Sequence, residues 1–462
     1  MPIADYLDPQ HCPKERPDLA EMTPQTQALH TAIDAAMRAS GQPYLHPDGP
    51  TVQLDLLGSA RMRDWQEGKV AFLWEGEGCW SELPQVYARY GTEATRALLR
   101  RVQALEHASC VLLTDCGMQA SALLFDTLVQ PGSHAIILRQ TYNKTRTYLK
   151  WLAARVGASV TVVDDGDMAQ LEAAVRPETV LVFAETYTNP LMRALDPEAL
   201  GAAAQRWRLA GASGLRLVID HTIATPWGLK RPLLDVPGID FVVTAGTKAL
   251  GGQDRDLWGY IASNRSEAMN LAMDLQAMRG GILDWRRAET LLAGLDEAEA
   301  RFRQRCATAG ALAAFLAQHP RVEAVFHPSL VEHPDHDAIE RSYALPGSLM
   351  SFRLRGASED EARHFCDVLA TCEVPRYALS FDGLTTKVNH HKTVSEYFTP
   401  DAELQRAGID RLVRLGVGTE AAPDLIACLN WALWQHDRVT PAEIQAWQAQ
   451  RARDLRIYAS ET

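Results

Sequence analysis

Lys248 stands in TAGTKALGG, directly after the apolar run FVVT and just ahead of Gly251 and Gly252. An amine at the end of a buried strand adds nothing to packing. Confinement disfavours its charged form, and a lysine tuned that way is a nucleophile able to form a Schiff base with a carbonyl compound. Taken alone, the same residue also reads as a solvated loop lysine. Asp220 closes the strand-like LRLVID and precedes HTIATP. A lone aspartate there reads either as a turn residue or as the acid that holds a protonated pyridine nitrogen and keeps such a ring an electron sink. Gly117 and Met118 lie in TDCGMQASALLFDTLV, where a strand gives way to a helix. A glycine lets an anion approach the backbone there, and the helix start supplies N–H donors, although glycines at such turns are common.

These residues need a scaffold, and the chain supplies one from about residue 95 onward. CVLLT, AIILR, VTVVD, VLVFAE, RLVID, FVVTA and YIAS are short apolar runs typical of strands buried on both faces. Helical stretches such as MAQLEAAV and ALGAAAQRWRLAG separate several of them, so a mostly parallel α/β sheet is predicted, with ligands at the carboxyl ends of its strands. After about residue 300 a long helix, EARFRQRCATAGALAAFLAQ, leads into shorter elements, and T-P-A-E at 440–443 reads as the capping box of a terminal helix. Before the sheet, Thr23 caps a helix predicted to run to Ser40, with Pro24 at its first position and Gly41 as its stop. Residues 41–80 show no clear periodicity. The expected organisation is an N-terminal arm (1–80), a large domain (81–300) and a C-terminal domain with a terminal helix (301–462).

Composition narrows the function classes. The chain has 462 residues and a net charge of -12, which disfavours nucleic acid or an anionic membrane as partner. No apolar stretch approaches a membrane span, and MPIADYLDPQ has neither the basic nor the apolar region of an export signal, so a cytoplasmic location is expected. Eight cysteines are scattered without a C-x-x-C pair or His/Cys metal spacing and read as reduced thiols; no metal site is expected. Dinucleotide and P-loop fingerprints are absent.

Nine segments, taken in order, resemble the Cys/Met metabolism family of pyridoxal-5'-phosphate (PLP) enzymes, which includes cystathionine γ-synthase and γ-lyase. YARYGTEATRALLRRVQALE resembles Y-x-R-x-x-N-P-T and its helix, CGMQA resembles S-G-M-x-A, and TYNKTR resembles Y-G-G-T-Y. ETYTNP matches E-[ST]-x-x-N-P, VIDHTIATP resembles V-D-N-T-F-A-T-P, and AGTKALGG resembles S-A-T-K-Y-I-N-G-H. VFHPSLVEHPDHDAIER, GSLMSFRLRG and LVRLGVGTE complete the series. The resemblance covers about residues 85–430 and implies the α/β, fold type I (aspartate aminotransferase-like) architecture, with a mostly parallel large-domain sheet and a smaller C-terminal α+β domain.

Position by position, the resemblance implies that Lys248 carries PLP as a Schiff base and moves protons. Tyr142 stacks on the ring, Asp220 binds its nitrogen, and Asn189 contacts its phenolic oxygen with Glu185 in support. Gly117, Met118 and Thr247 hold the phosphate, Tyr87 and Arg89 reach it from a neighbouring subunit, and Arg414 clamps the substrate carboxylate with Ser380 nearby. The resemblance implies a homo-oligomer of site-sharing dimers, the tetramer common in the family. The chain departs from the pattern at Ala245 (serine in the family), at His221 (asparagine), at Asn143 and Lys144 (small residues), at Thr92–Ala94 in place of N-P-T, and in SFDGLTTK where the family reads S-L-G-x-x-E-[ST]. These departures are expected to cluster at the rim and to bear on substrate more than on cofactor. The implied reaction is γ-elimination or γ-replacement on an amino acid with a sulfur, oxygen or halide leaving group. The alternatives are β-elimination on cysteine-type substrates and a catalytically degenerate assembly partner, against which the retained Lys248, Asp220, Tyr142 and Arg414 weigh.

Overall fold

The computed structural model describes residues 16–40, 54–70, 83, 85–251 and 253–457. The chain divides into two compact units, one drawn from Met1–Lys69 and Leu83–Glu93 and the other from Val70–Glu82 and Ala94–Thr462.

In the first unit, helix α1 (Pro24–Ser40) starts at the proline predicted for its first position, while Gly41 lies outside the described residues. Helix α2 (Leu54–Val70) occupies a stretch in which the sequence showed no periodicity. Trp65 of α2 is buried and meets Tyr90 edge-on, with ring centroids 4.9 Å apart. Tyr87 is the N-cap of a short 3-10 turn, Ala88–Tyr90, which contains Arg89; the Arg89 guanidinium lies 5.0 Å from the Tyr87 ring.

The second unit carries two sheets. After helix α3 (Glu93–Glu106) come β1 (Cys110–Thr114), α4 (Gly117–Leu128), β2 (His134–Leu138), α5 (Asn143–Val156), β3 (Ser159–Val163), α6 (Met168–Ala174), β4 (Thr179–Glu185), α7 (Pro197–Leu209), β5 (Arg216–Asp220), β6 (Phe241–Thr244) and β7 (Gly259–Ser263). The strands form one seven-stranded sheet in the order β1-β7-β6-β5-β4-β2-β3. Strands β2 to β6 pair in parallel and only β7 runs antiparallel, between β1 and β6. This is the mostly parallel α/β sheet predicted from the alternating runs. VTVVD departs most: four of the five residues of edge strand β3 are not buried, whereas the opposite edge strand, β1, is buried throughout.

Helices α8 (Ser266–Arg279) and α9 (Trp285–Gln318) follow. The latter is a single 34-residue helix that begins well before the stretch recognised in the sequence. Then come β8 (Val322–Phe326), α10 (His336–Ser342), β9 (Leu349–Leu354), α11 (Glu359–Ala370), β10 (Arg376–Tyr377), β11 (Lys387–His390), α12 (His391–Ser395), α13 (Asp401–Ala407), β12 (Leu412–Gly416), α14 (Ala422–Gln435) and α15 (Pro441–Asp454). The five strands form a second sheet, β10-β11-β12-β9-β8. Its apolar face packs on α9, α11 and α14 through residues such as Leu312, Phe352, Phe365 and Leu429. Helix α15 opens with the predicted capping box, in which the Thr440 side chain accepts from the Glu443 N–H and the Glu443 carboxylate from the Thr440 N–H.

Among the described residues no helix is long and apolar enough to cross a membrane.

Candidate active site

In-register pairing brings the carboxyl ends of β4, β5 and β6 together. Glu185 lies opposite Asp220, Asp220 lies opposite Val243, and the chain leaves β6 through Ala245, Gly246 and Thr247 to Lys248. A cavity of about 370 Å³ opens over these ends. Its walls include Gly117, Met118, Tyr142, Glu185, Asn189, Asp220, Thr247, Lys248, Ser380 and Arg414, so ten of the twelve residues singled out in the sequence converge on one site. The other two, Tyr87 and Arg89, belong to the N-terminal unit.

Close backbone approach builds the floor. A Cβ on Gly117 would lie 2.4 Å from the Cβ of Ala245, and one on Gly246 would lie 2.2 Å from the Trp258 ring, so neither position admits a side chain without displacing a strand end. Cys116 is the N-cap of α4 but makes no side-chain cap bond; the Gln119 and Ala120 N–H groups donate to its carbonyl, and the helix start at Gly117 and Met118 lines the cavity, where an anion could be held. The Thr247 hydroxyl is engaged locally: it donates to the Trp258 carbonyl (3.2 Å) and accepts from the Trp258 N–H (2.9 Å).

Two carboxyl groups sit side by side on the sheet. Burial raises Asp220 above the usual carboxylate range, against which hydrogen bonds from Thr222 act; the Thr222 N–H donates to Asp220 Oδ1 at 2.8 Å. Burial, then the neighbouring Asp220 charge, pushes Glu185 well above its ordinary value, while the Tyr142 N–H donates to Glu185 Oε1 at 2.7 Å. Two adjacent buried acids are a favourable seat for a cation, and a protonated pyridine nitrogen has that charge and is flat enough to lie against the sheet.

Across the cavity, Lys248 donates to the Ser380 hydroxyl. Burial lowers its amine to about 8, with Arg414 and Lys387 pushing the same way and Asp382 and Asp254 opposing. Arg414, on β12 and only 2% exposed, donates to Asn189 Oδ1 (3.3 Å) and to the Leu379 carbonyl (2.8 Å). Burial lowers its guanidinium to about 10, yet it stays charged at neutral pH and offers its planar fork to a carboxylate. Tyr142 stands at the rim, 44% exposed. Asn143 donates to the Ser395 carbonyl (2.8 Å), and Arg146 pairs with Glu396 at 3.1 Å, which ties the segment carrying Val394, Ser395 and Tyr397 to the start of α5. Lys144 is exposed at the mouth, its ammonium 5.8 Å from the Tyr397 ring.

The donor set fits PLP: uncapped helix amides for the phosphate, a primary amine for the aldehyde and a buried acid for the ring nitrogen. The sequence reading missed Thr222 and Phe381. Thr222 carried a local signal, because an aspartate followed two residues later by a free N–H forms an Asx-turn. Phe381, which also lines the cavity, carried none.

The family model described as Cys/Met metabolism PLP-dependent enzyme matches residues 78–434. The chain is 33% identical over 349 residues to cystathionine gamma-synthase 1, chloroplastic, of Arabidopsis thaliana, covering 75% of this chain and 60% of that protein. The chain therefore spans less than two thirds of that plant relative. It is 30% identical over 355 residues to an L-methionine gamma-lyase of Fusobacterium nucleatum subsp. polymorphum, covering 76% of this chain and 87% of that one. The crystal structure of cystathionine gamma synthase from Xanthomonas oryzae pv. oryzae in complex with cystathionine is similar to this fold with a TM-score of 0.71 at 27% identity, over 77% of this chain and 89% of that chain.

Proposed function

Because the chain belongs to the Cys/Met metabolism PLP-dependent enzyme family, with its fold type I α/β architecture, we propose that it catalyses γ-elimination or γ-replacement on an amino acid bearing a γ-substituent. The observation that carries this reading is the meeting of Lys248, Asp220, Tyr142 and Arg414 in one cavity. Bound PLP supplies the electron sink that stabilises negative charge on substrate carbon. Lys248 would anchor it covalently and, once released as a free amine, would take and return protons at the α- and β-carbons; in the cofactor-free cavity burial lowers that amine to about 8. Asp220 would hold the ring nitrogen protonated, and Glu185, which accepts from the Tyr142 N–H, positions the tyrosine that would stack on the ring. Arg414 binds the α-carboxylate, orienting the Cα–H bond, while Asn189 positions the guanidinium.

In this reading residues 81–300 bind the cofactor, residues 301–462 bring Ser380 and Arg414, and residues 1–80 are an arm. The enzyme is a cytoplasmic homotetramer in which Tyr87 and Arg89 complete the phosphate site of a neighbouring subunit. The test is spectroscopic and chemical. The purified protein is expected to show the visible-edge absorbance of lysine-bound PLP, and Lys248→Ala to lose it. With γ-substituted amino acids the wild type should release 2-oxobutanoate or a γ-exchanged amino acid. Pyruvate from β-substituted amino acids alone would assign β-elimination instead, and a colourless protein indifferent to added PLP would end the proposal.

A further inference from the structure

Lys248 and Arg414 place two basic groups in one cavity, and their hydrogen-bond partners are neutral: the Ser380 hydroxyl for the amine, the Asn189 amide and Leu379 carbonyl oxygens for the guanidinium. Phe381 stands with both. Its ring centroid is 4.8 Å from Lys248 Nζ and 5.5 Å from Arg414 Cζ, within the roughly 6 Å at which an aromatic face attracts a cation. The sequence has phenylalanine where the S-L-G pattern places leucine.

The surroundings hold the ring there. Gly416 of β12 passes so close that a Cβ on it would lie 2.8 Å from the Phe381 Cβ. The next residue, Asp382, has a positive φ of 59° and accepts from the Ser348 hydroxyl. Lys387 donates to the Asp382 carbonyl and to Asp254, and fully buried Arg305 donates to the carbonyls of Gly383 (3.0 Å) and Ala249 (3.2 Å). The loop bearing the ring is thus tied to the turn bearing Lys248.

We propose that Phe381 is a positioning residue whose ring is a shared neutral seat for the Arg414 guanidinium and, whenever it is free of the cofactor, the Lys248 amine, holding Arg414 in place for the arriving substrate carboxylate. The proposal rests on the reading of Arg414 as carboxylate anchor. A carboxylate side chain at this position would attract the same two groups but compete with the substrate for Arg414, and an aliphatic one would fill the space without attracting either. An aromatic ring attracts them while leaving the anion's place open.

Phe381→Leu and Phe381→Tyr separate these contributions, with Phe381→Met as a second ring-free variant should the leucine protein not fold. In the cofactor-free protein, labelling of Lys248 by an amine-acylating reagent is followed against pH. Loss of the ring removes an attraction for the ammonium, so the Leu variant should label about three- to fivefold faster at neutral pH, and the Tyr variant should follow the wild type. In the holoenzyme the Leu variant should raise KM about tenfold with a smaller change in kcat. A wild-type labelling profile in the ring-free variants, or equal changes in Leu and Tyr, would overturn the proposal. Because labelling needs no turnover, that result is distinguishable from a failure of the assigned reaction.

Discussion

Arg414 is fully enclosed, so its chemistry depends on geometry as much as on charge. Lysine at this position keeps a positive charge but loses the planar fork and strands the Asn189 and Leu379 oxygens that the guanidinium now satisfies. Arg414→Lys is therefore expected to lower kcat/KM for amino acids by about a hundredfold while PLP absorbance is retained, measured by steady-state kinetics beside an absorbance titration. Retention of wild-type kcat/KM would mean that the carboxylate binds elsewhere. Lys248, Asp220 and Gly117 were legible because a buried strand end leaves a polar residue or glycine few structural duties. Arg414 was legible only through the resemblance; its burial against Asn189, 225 positions away in the chain, has no local signal. The same holds for Phe381, whose partners Lys248 and Arg414 lie far off in sequence on either side.

At the scale of elements, α9 does more than cover the second sheet. Through Arg305 it ties the turn after Lys248 to the loop after Phe381, both by backbone carbonyls that have no water to turn to. Arg305→Met keeps most of the side-chain volume and removes both donors, so stability should fall by about 2–4 kcal/mol, read as a shift in denaturant midpoint. PLP affinity should fall with it, because the Lys248 turn is no longer pinned. An unchanged midpoint would show that the loop is held by Ser348 and Lys387 alone. The strands of the large sheet were readable because two-sided burial demands unbroken apolar runs, and the edge strand β3 departs because it lacks that burial. Helix α2 was not readable. Its apolar residues at 54, 56, 57, 62, 65 and 70 follow no single helical face, and Gly58 and Gly68 lower its helix propensity. The early start of α9 was hidden by a charged opening, WRRAETLLAGLDEAEARFR, that resembles a surface segment although Ala288, Leu291 and Leu295 are buried.

For the molecule as a whole, burial keeps a set of histidines neutral. His134, His319, His333 and His390 are all lowered from 6.5, largely by burial, and His391 well below it. His327, fully enclosed, falls to about 4. Its Nε2 can only donate to the Gly347 carbonyl (3.4 Å), so its Nδ1 accepts from the Ser329 hydroxyl (2.7 Å) and the Ser329 N–H (3.3 Å); protonation of Nδ1 would lose the N–H bond and force the hydroxyl to turn round and accept. The sign follows: between pH 6.5 and about 4 the unfolded chain binds the proton and the folded one does not, so the stability present above pH 6.5 is lost as pH falls. For His327 alone the span amounts to about 3 kcal/mol. Buried acids with raised values act the other way, Asp165 at about 6 among them, so the protein's overall profile is a difference of the two sets. A single substitution isolates the histidine part. His327→Gln can keep one donor and one acceptor but cannot titrate, so it should lower stability at pH 7.5 by about 1–2 kcal/mol through imperfect packing while making the midpoint less steep between pH 6.5 and 4 by nearly one proton. Equal slopes for the two proteins across that window would mean that His327 titrates in the folded state as it does in the unfolded one.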